Sequence, residues 1–111
     1  MVIDNQKKQF RFYDSLQSPG RNYFKTIVQW YVQYLKTYDA DRVTLEQDWT
    51  FVSMEDIPLQ ENGWDCGVFL LMYADFEAFE VPLTTFDLAS SMKTLRTKIA
   101  ADLMRGNLHK Y

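Results

Sequence analysis

The strongest constraint on the fold lies in residues 60–72, where a polar turn gives way abruptly to an unbroken apolar run. Glu61, Asn62 and Gly63 form a turn-favouring cluster, and Val68, Phe69, Leu70, Leu71 and Met72 follow it without a charge. Gly and Asn punctuate, and five consecutive apolar residues need cover on more than one side. The pattern therefore predicts a helix that opens near Cys66, continues to about Phe76 and is buried nearly all round. Cys66 is the only cysteine of the chain, so it has no internal disulfide partner. A cysteine in such a stretch has two readings. It is a small buried hydrophobe, or it is a nucleophile whose thiolate is favoured by the unpaired N–H groups of a helix N-terminus. Gln60, across the turn, carries an amide able to donate to a carbonyl oxygen under attack by that sulfur.

The whole string decides more than the cysteine does. Pro58, Gln60, Asn62, Gly63, Asp65, Cys66 and Gly67 match the pattern Pro-x-Gln-x-Asn-Gly-x-Asp-Cys-Gly. This resembles the cysteine signature of the Ulp or sentrin-specific protease family, and seven positions at correct spacing are far more specific than a two-residue motif. The resemblance implies Cys66 as nucleophile and Gln60 as oxyanion-hole donor. Trp64, beside the nucleophile, is either a wall of a narrow channel for substrate glycines or a residue packed on the turn.

The remaining chain reads as an α+β arrangement. Val2 and Ile3, a polar turn over residues 4–8, and residues 9–13 with Phe10 and Phe12 on one face form a β-hairpin. It ends at Asp14-Ser15-Leu16, ahead of Ser18-Pro19-Gly20, which places Asp14 at a strand end facing a loop. An aspartate there caps a turn or serves a site. From Asn22 to about Tyr38, Phe24, Ile27, Val28, Tyr31, Leu35 and Tyr38 recur at helical spacing and predict an amphipathic helix whose aromatic stripe is core. Residues 39–48 are a polar connection with room for a helical turn. Residues 49–54 alternate weakly and predict a third strand, ended by Pro58. Thr84-Thr85-Phe86-Asp87 has capping-box spacing, and the helix after it carries Leu88, Met92, Leu95, Ile99 and Leu103 on one face, with Ser90, Lys93, Thr97 and Lys98 in water, until Gly106-Asn107 stops it. The expectation is a small, mainly antiparallel sheet of about three strands with three to four helices. By the resemblance this is half of a papain-like Ulp protease fold, with residues 1–111 forming a single partial domain from the C-terminal portion of the catalytic region.

That order of elements also resembles the family's, and Tyr13-Asp14-Ser15-Leu16 matches its catalytic aspartate segment. The likeness implies Asp14 as the group that orients the catalytic imidazole. The family's histidine, usually followed by Trp, stands at the start of the strand whose end Val2-Ile3-Asp4 would supply, so it is expected a few residues before Met1. His109, the only histidine, lies in a polar tail and reads as a surface residue, too remote for hydrogen-bond reach to Cys66. By this reading the chain alone lacks its base.

Composition narrows the classes further. Hydrophobic residues make up 47% of the chain and aromatic residues 16%, too apolar for a disordered segment. Twelve basic against fifteen acidic residues give a net charge of -3 with no basic cluster beyond Lys7 and Lys8, which argues against a nucleic-acid partner. Neither paired cysteines nor clustered histidines suggest a metal, and no cofactor is expected. A single cysteine fits an intracellular setting, nucleus or cytoplasm. No apolar run approaches a membrane span of ~20 residues.

The resemblance thus implies a cysteine peptidase that matures or releases a SUMO-like modifier by cleavage after Gly-Gly, its partners being that modifier and its conjugates. The alternatives are a catalytically inactive remnant that binds ubiquitin-like proteins, or the fold's acetyltransferase and deubiquitinase relatives.

Overall fold

In the computed structural model, residues 1–85 and 87–106 are described. The chain divides into two compact units, Met1–Glu55 and Asp56–Tyr111.

The first unit is a three-stranded sheet with one helix. Strand β1 is Val2–Asp4, β2 is Gln9–Phe12, helix α1 is Arg21–Tyr38 and β3 is Thr50–Ser53. The strand order is β1-β2-β3. β1 pairs antiparallel to β2, with Ile3 opposite Phe10, and Asp4 Oδ2 reaches Arg11 Nη1 at 2.8 Å across the hairpin. β2 and β3 are parallel, with Phe10 opposite Phe51. The sheet is therefore mixed rather than mainly antiparallel. The reason is topological: α1 occupies the connection between β2 and β3, and a helical crossover returns the chain in the same direction.

Alternation along β2 sends Phe10 inward, where it is fully buried among Val28, Tyr31, Val32, Leu35 and Trp49. Its ring meets Phe24, Tyr31 and Trp49 edge-on at centroid distances of 5.7, 6.1 and 5.0 Å. Such aromatic pairs add about 0.5–1.5 kcal/mol each beyond the area they bury. The core stripe of α1 runs through Val28, Tyr31, Val32 and Leu35, so Val32 joins it. Tyr38, expected inside, is exposed. It closes an outward row in which Trp30, Tyr34 and Tyr38 touch at i, i+4 intervals, with centroids 5.7 and 5.0 Å apart. Residues 39–48 contain two short 3₁₀ turns, Ala40–Arg42 and Glu46–Asp48. Asp48 ties the second turn by accepting from the Thr44 hydroxyl and the Leu45 N–H, each at 3.0 Å.

The second unit contains helix α2, Cys66–Ala78, a 3₁₀ turn at Leu83–Thr85 and helix α3, Leu88–Arg105. α2 begins at Cys66, as the turn chemistry predicts, and extends two residues past Phe76. It is not buried all round. Val68, Phe69, Met72, Tyr73 and Phe76, related by i+3 and i+4 steps, form the buried stripe, whereas Leu70 and Leu71 point the other way and are exposed. The apolar run masked this two-sidedness because its composition carries no periodicity. α2 ends in a Schellman motif, with Val81 N–H on the Phe76 carbonyl at 2.8 Å and Glu80 N–H on the Glu77 carbonyl at 3.3 Å.

At the start of α3, the cap is Asp87, whose carboxylate accepts from Ser90 N–H at 3.2 Å. The anticipated Thr84–Asp87 box is thus displaced by a simpler N-cap. Met92 is buried, but Leu103 is exposed, and Asp102 takes an inward place with Lys98 Nζ 2.8 Å from its carboxylate. Lys98 is consequently half-buried instead of free in water. Gly106, at φ 67°, ends the helix. His109 and Asn107 lie outside the described residues. Among the described residues no helix is long and apolar enough to cross a membrane.

Candidate active site

The sequence-derived site residues fall into two groups. Gln60, Trp64 and Cys66 lie together on the loop and first turn of α2, in the second unit, and Asp14 lies in the first unit.

The loop before α2 is organised by Asn62. Its side-chain oxygen accepts from Trp64 N–H at 3.1 Å and Asp65 N–H at 3.0 Å, and its Nδ2 donates to Asp65 Oδ2 at 2.7 Å. An Asn side chain that bonds backbone two and three residues on imitates a turn of peptide, which is why this residue type suits the position. The loop then feeds directly into α2, where the Asp65 carbonyl accepts from Val68 and Phe69 N–H at 3.0 and 3.1 Å. Cys66 is therefore the first helical residue. Its side chain is exposed, which removes the reading of a buried small hydrophobe.

Asp65 is buried at 7% exposure, and its charge is met from α3. Arg96 Nε donates to Asp65 Oδ1 at 3.1 Å, Arg96 Nη2 donates to the same oxygen, and Nη2 also reaches the Trp64 carbonyl at 3.3 Å. The Arg96 guanidinium, then the Asn62 amide, hold the Asp65 carboxyl below its ordinary value against the opposing effect of desolvation. Arg96 is not legible along the chain: it stands 31 positions from Asp65, and an arginine on a helix ordinarily reads as a solvated charge.

Gln60 is half-buried and donates through Nε2 to the Asn62 carbonyl of its own loop. The Tyr73 hydroxyl on α2 donates to the Pro58 carbonyl, which fastens the chain two residues ahead of Gln60. Trp64 is 74% exposed, so it is not packed away against the turn.

Asp14 stands just beyond β2. Its Oδ1 accepts from Leu16 N–H at 2.9 Å and its Oδ2 from Ser18 N–H at 3.1 Å, and its carbonyl accepts from Gln17 N–H at 3.0 Å. The carboxylate thus caps its own loop, the first of the two readings its position allowed. It also lines a cavity of about 300 Å³ with Gln17, Ser18, Pro19, Ser53, Met54 and Glu55. Among the described residues no group of three or more His, Cys, Asp or Glu is arranged to hold a metal ion.

Residues 1–108 match the Ulp1 protease family, C-terminal catalytic domain. The chain belongs to the Ulp1 protease family. This is a family of ubiquitin-like-protein-specific cysteine proteases. The Ulp1-family chain is 35% identical over 86 residues to sentrin-specific protease 2 of Homo sapiens, covering 76% of the chain and 14% of that protein. It is 28% identical over 105 residues to the putative ubiquitin-like-specific protease 1B of Arabidopsis thaliana, covering 94% of the chain and 30% of that protein. A sentrin-specific protease of Caenorhabditis elegans is 34% identical over 76 residues, 68% of the chain and 11% of that protein. The Ulp1-family chain therefore spans less than a third of the length of these curated relatives.

Proposed function

We propose that this chain is the cysteine-bearing portion of a single Ulp1-type catalytic domain that cleaves a SUMO-like modifier after its C-terminal Gly-Gly, maturing it or releasing it from lysine. The observation that carries the reading is the exposed thiol of Cys66 at the first residue of α2, inside the seven-position motif.

In this proposal Cys66 Sγ attacks the carbonyl carbon of the terminal glycine. The oxyanion is stabilised by the Gln60 amide and the Cys66 backbone N–H, one of the unpaired donors at the start of α2. The peptide or isopeptide nitrogen leaves with a proton, and water hydrolyses the thioester. A histidine that the family order sets ahead of Val2 supplies the base, and Asp14 fixes its tautomer, since an imidazole must be held by a third group to act on a thiol. Asp14 caps its loop through both carboxylate oxygens, and each of those retains further acceptor capacity for an imidazole N–H. Trp64 lines the glycine channel, where an exposed indole suits a thin, side-chain-free strand. The enzyme works within the cell, in nucleus or cytoplasm, on protein rather than nucleic-acid partners. The net charge of -3 supports the latter.

The test is labelling of the natural protein that carries this chain with a SUMO whose C-terminal glycine bears a thiol-reactive electrophile. Cys66 is expected to form the adduct, and Cys66→Ser is expected to form none. Equal labelling of the two proteins overturns the proposal.

A further inference from the structure

Asp65 sets a problem for the residue that follows it. Asp65 carries a negative charge one residue ahead of the thiol, and it is buried, so bulk water does little to screen it. Yet the loop uses the carboxylate, because Oδ2 accepts from Asn62 Nδ2 at 2.7 Å. The guanidinium of Arg96 answers both demands at once. It reaches Asp65 Oδ1 through two nitrogens and extends to the Trp64 carbonyl, bridging the two residues that precede Cys66. Its planar fork makes the two-nitrogen contact, while its positive charge, which an ammonium shares, is what offsets the carboxylate. Arg96 comes from α3, so the contact also ties the mouth of α2 to a second helix.

We propose that Arg96 is a positioning residue for Cys66, fixing Trp64 and Asp65 at the entrance of α2 and offsetting the charge that the Asp65 carboxylate carries one residue ahead of the thiol. The significance of this for catalysis rests on the peptidase reading above. The geometry does not.

The chain offers a direct readout, because Cys66 is its only cysteine and any alkylation reports on that sulfur alone. The rate of reaction with iodoacetamide, a neutral reagent, is measured at pH 7 on the full chain at low and at high salt. Arg96→Gln leaves the carboxylate uncompensated and is expected to slow alkylation about 3- to 10-fold at low salt, with the difference shrinking at high salt. Arg96→Lys keeps the charge and is expected to react within about twofold of the unmodified chain. Asp65→Asn leaves the guanidinium unopposed and is expected to accelerate the reaction. A purely structural contact predicts slowing in Arg96→Gln and Asp65→Asn alike, unaffected by salt.

Arg96→Gln that alkylates as fast as the unmodified chain, or slowing by Arg96→Gln and Asp65→Asn alike, overturns the proposal. Should Arg96→Gln fail to unfold cooperatively, Arg96→Lys and Asp65→Asn decide it: the first must hold the rate and the second must raise it, and the reverse in either overturns it. Failure of the peptidase reading is seen separately, as a Cys66 that alkylates in this manner but takes no SUMO electrophile.

Discussion

Asn62 and Asp65 grip each other in both directions: the Asn62 oxygen accepts the Asp65 N–H at 3.0 Å and the Asn62 amide donates to the Asp65 carboxylate at 2.7 Å. The same Asn62 oxygen takes the Trp64 N–H, so three bonds shape the loop that delivers Cys66. Asn62→Ala is expected to lower stability by about 1–2 kcal/mol, the range seen when a side chain that satisfies backbone donors at a helix entrance is removed. Urea denaturation of the two chains measures it, and an unchanged midpoint would mean that the loop is held by other contacts.

Gly20 and Phe12 determine how the Asp14 loop returns into α1. Gly20 has φ 60°, and a Cβ built on it overlaps the Phe12 ring. Gly20→Ala therefore meets both left-handed strain and overpacking, and is expected to cost about 2–4 kcal/mol. Thermal or urea unfolding reads the loss. The paired change Gly20→Ala with Phe12→Leu should recover part of it by clearing the space while leaving the strain.

Glu80 sits in the opposite situation. It occupies the left-handed position of the α2 Schellman motif with φ 55°, where glycine carries no Cβ penalty. Glu80→Gly is expected to stabilise the chain by up to about 1 kcal/mol, seen as a rise in the urea midpoint.

Acid sensitivity follows from three aspartates. Lys7 N–H and then Arg11 hold the Asp4 carboxyl below its ordinary 3.8, Leu45 N–H and the Thr44 hydroxyl do the same for Asp48, and Arg96 and Asn62 for Asp65. A carboxyl depressed in the folded state binds its proton more readily when unfolded. Its contribution is therefore complete above the unfolded value and is lost as pH falls below 3.8 through the folded values. The unfolding midpoint should be flat with respect to these groups above about pH 5 and should decline below pH 4. Asp4→Asn should make that decline shallower.

On the proposed mechanism, in which the Gln60 amide donates to the oxyanion, Gln60→Ala in the natural protein is expected to lower kcat on a SUMO precursor about 100- to 1,000-fold with KM little changed, since such a donor acts on the transition state. A change confined to KM would assign Gln60 to substrate binding instead.

Much of this architecture is legible along the chain because it is local. The hairpin, the start of α2 at Cys66 and the stop of α3 at Gly106 each follow from neighbours in sequence: alternating residues, an Asn-Gly turn and a glycine able to take positive φ. The misjudged residues share a different cause. Leu70 and Leu71, like Tyr38 and Leu103, are apolar yet exposed, because periodicity marks which residues share a face and not what lies against that face. The parallel pairing of β3 with β2 was equally hidden, since a strand's own residues do not state its neighbour's direction.

The sequence by itself determined the family, through seven spaced positions from Pro58 to Gly67, and put one thiol at the head of a helix, because turn and helix signals act over a few residues. Only the tertiary structure decided that this thiol is exposed and that the carboxylate before it is matched by Arg96. Exposure and charge compensation depend on which surfaces meet in space, and the ion pair joins residues 31 positions apart.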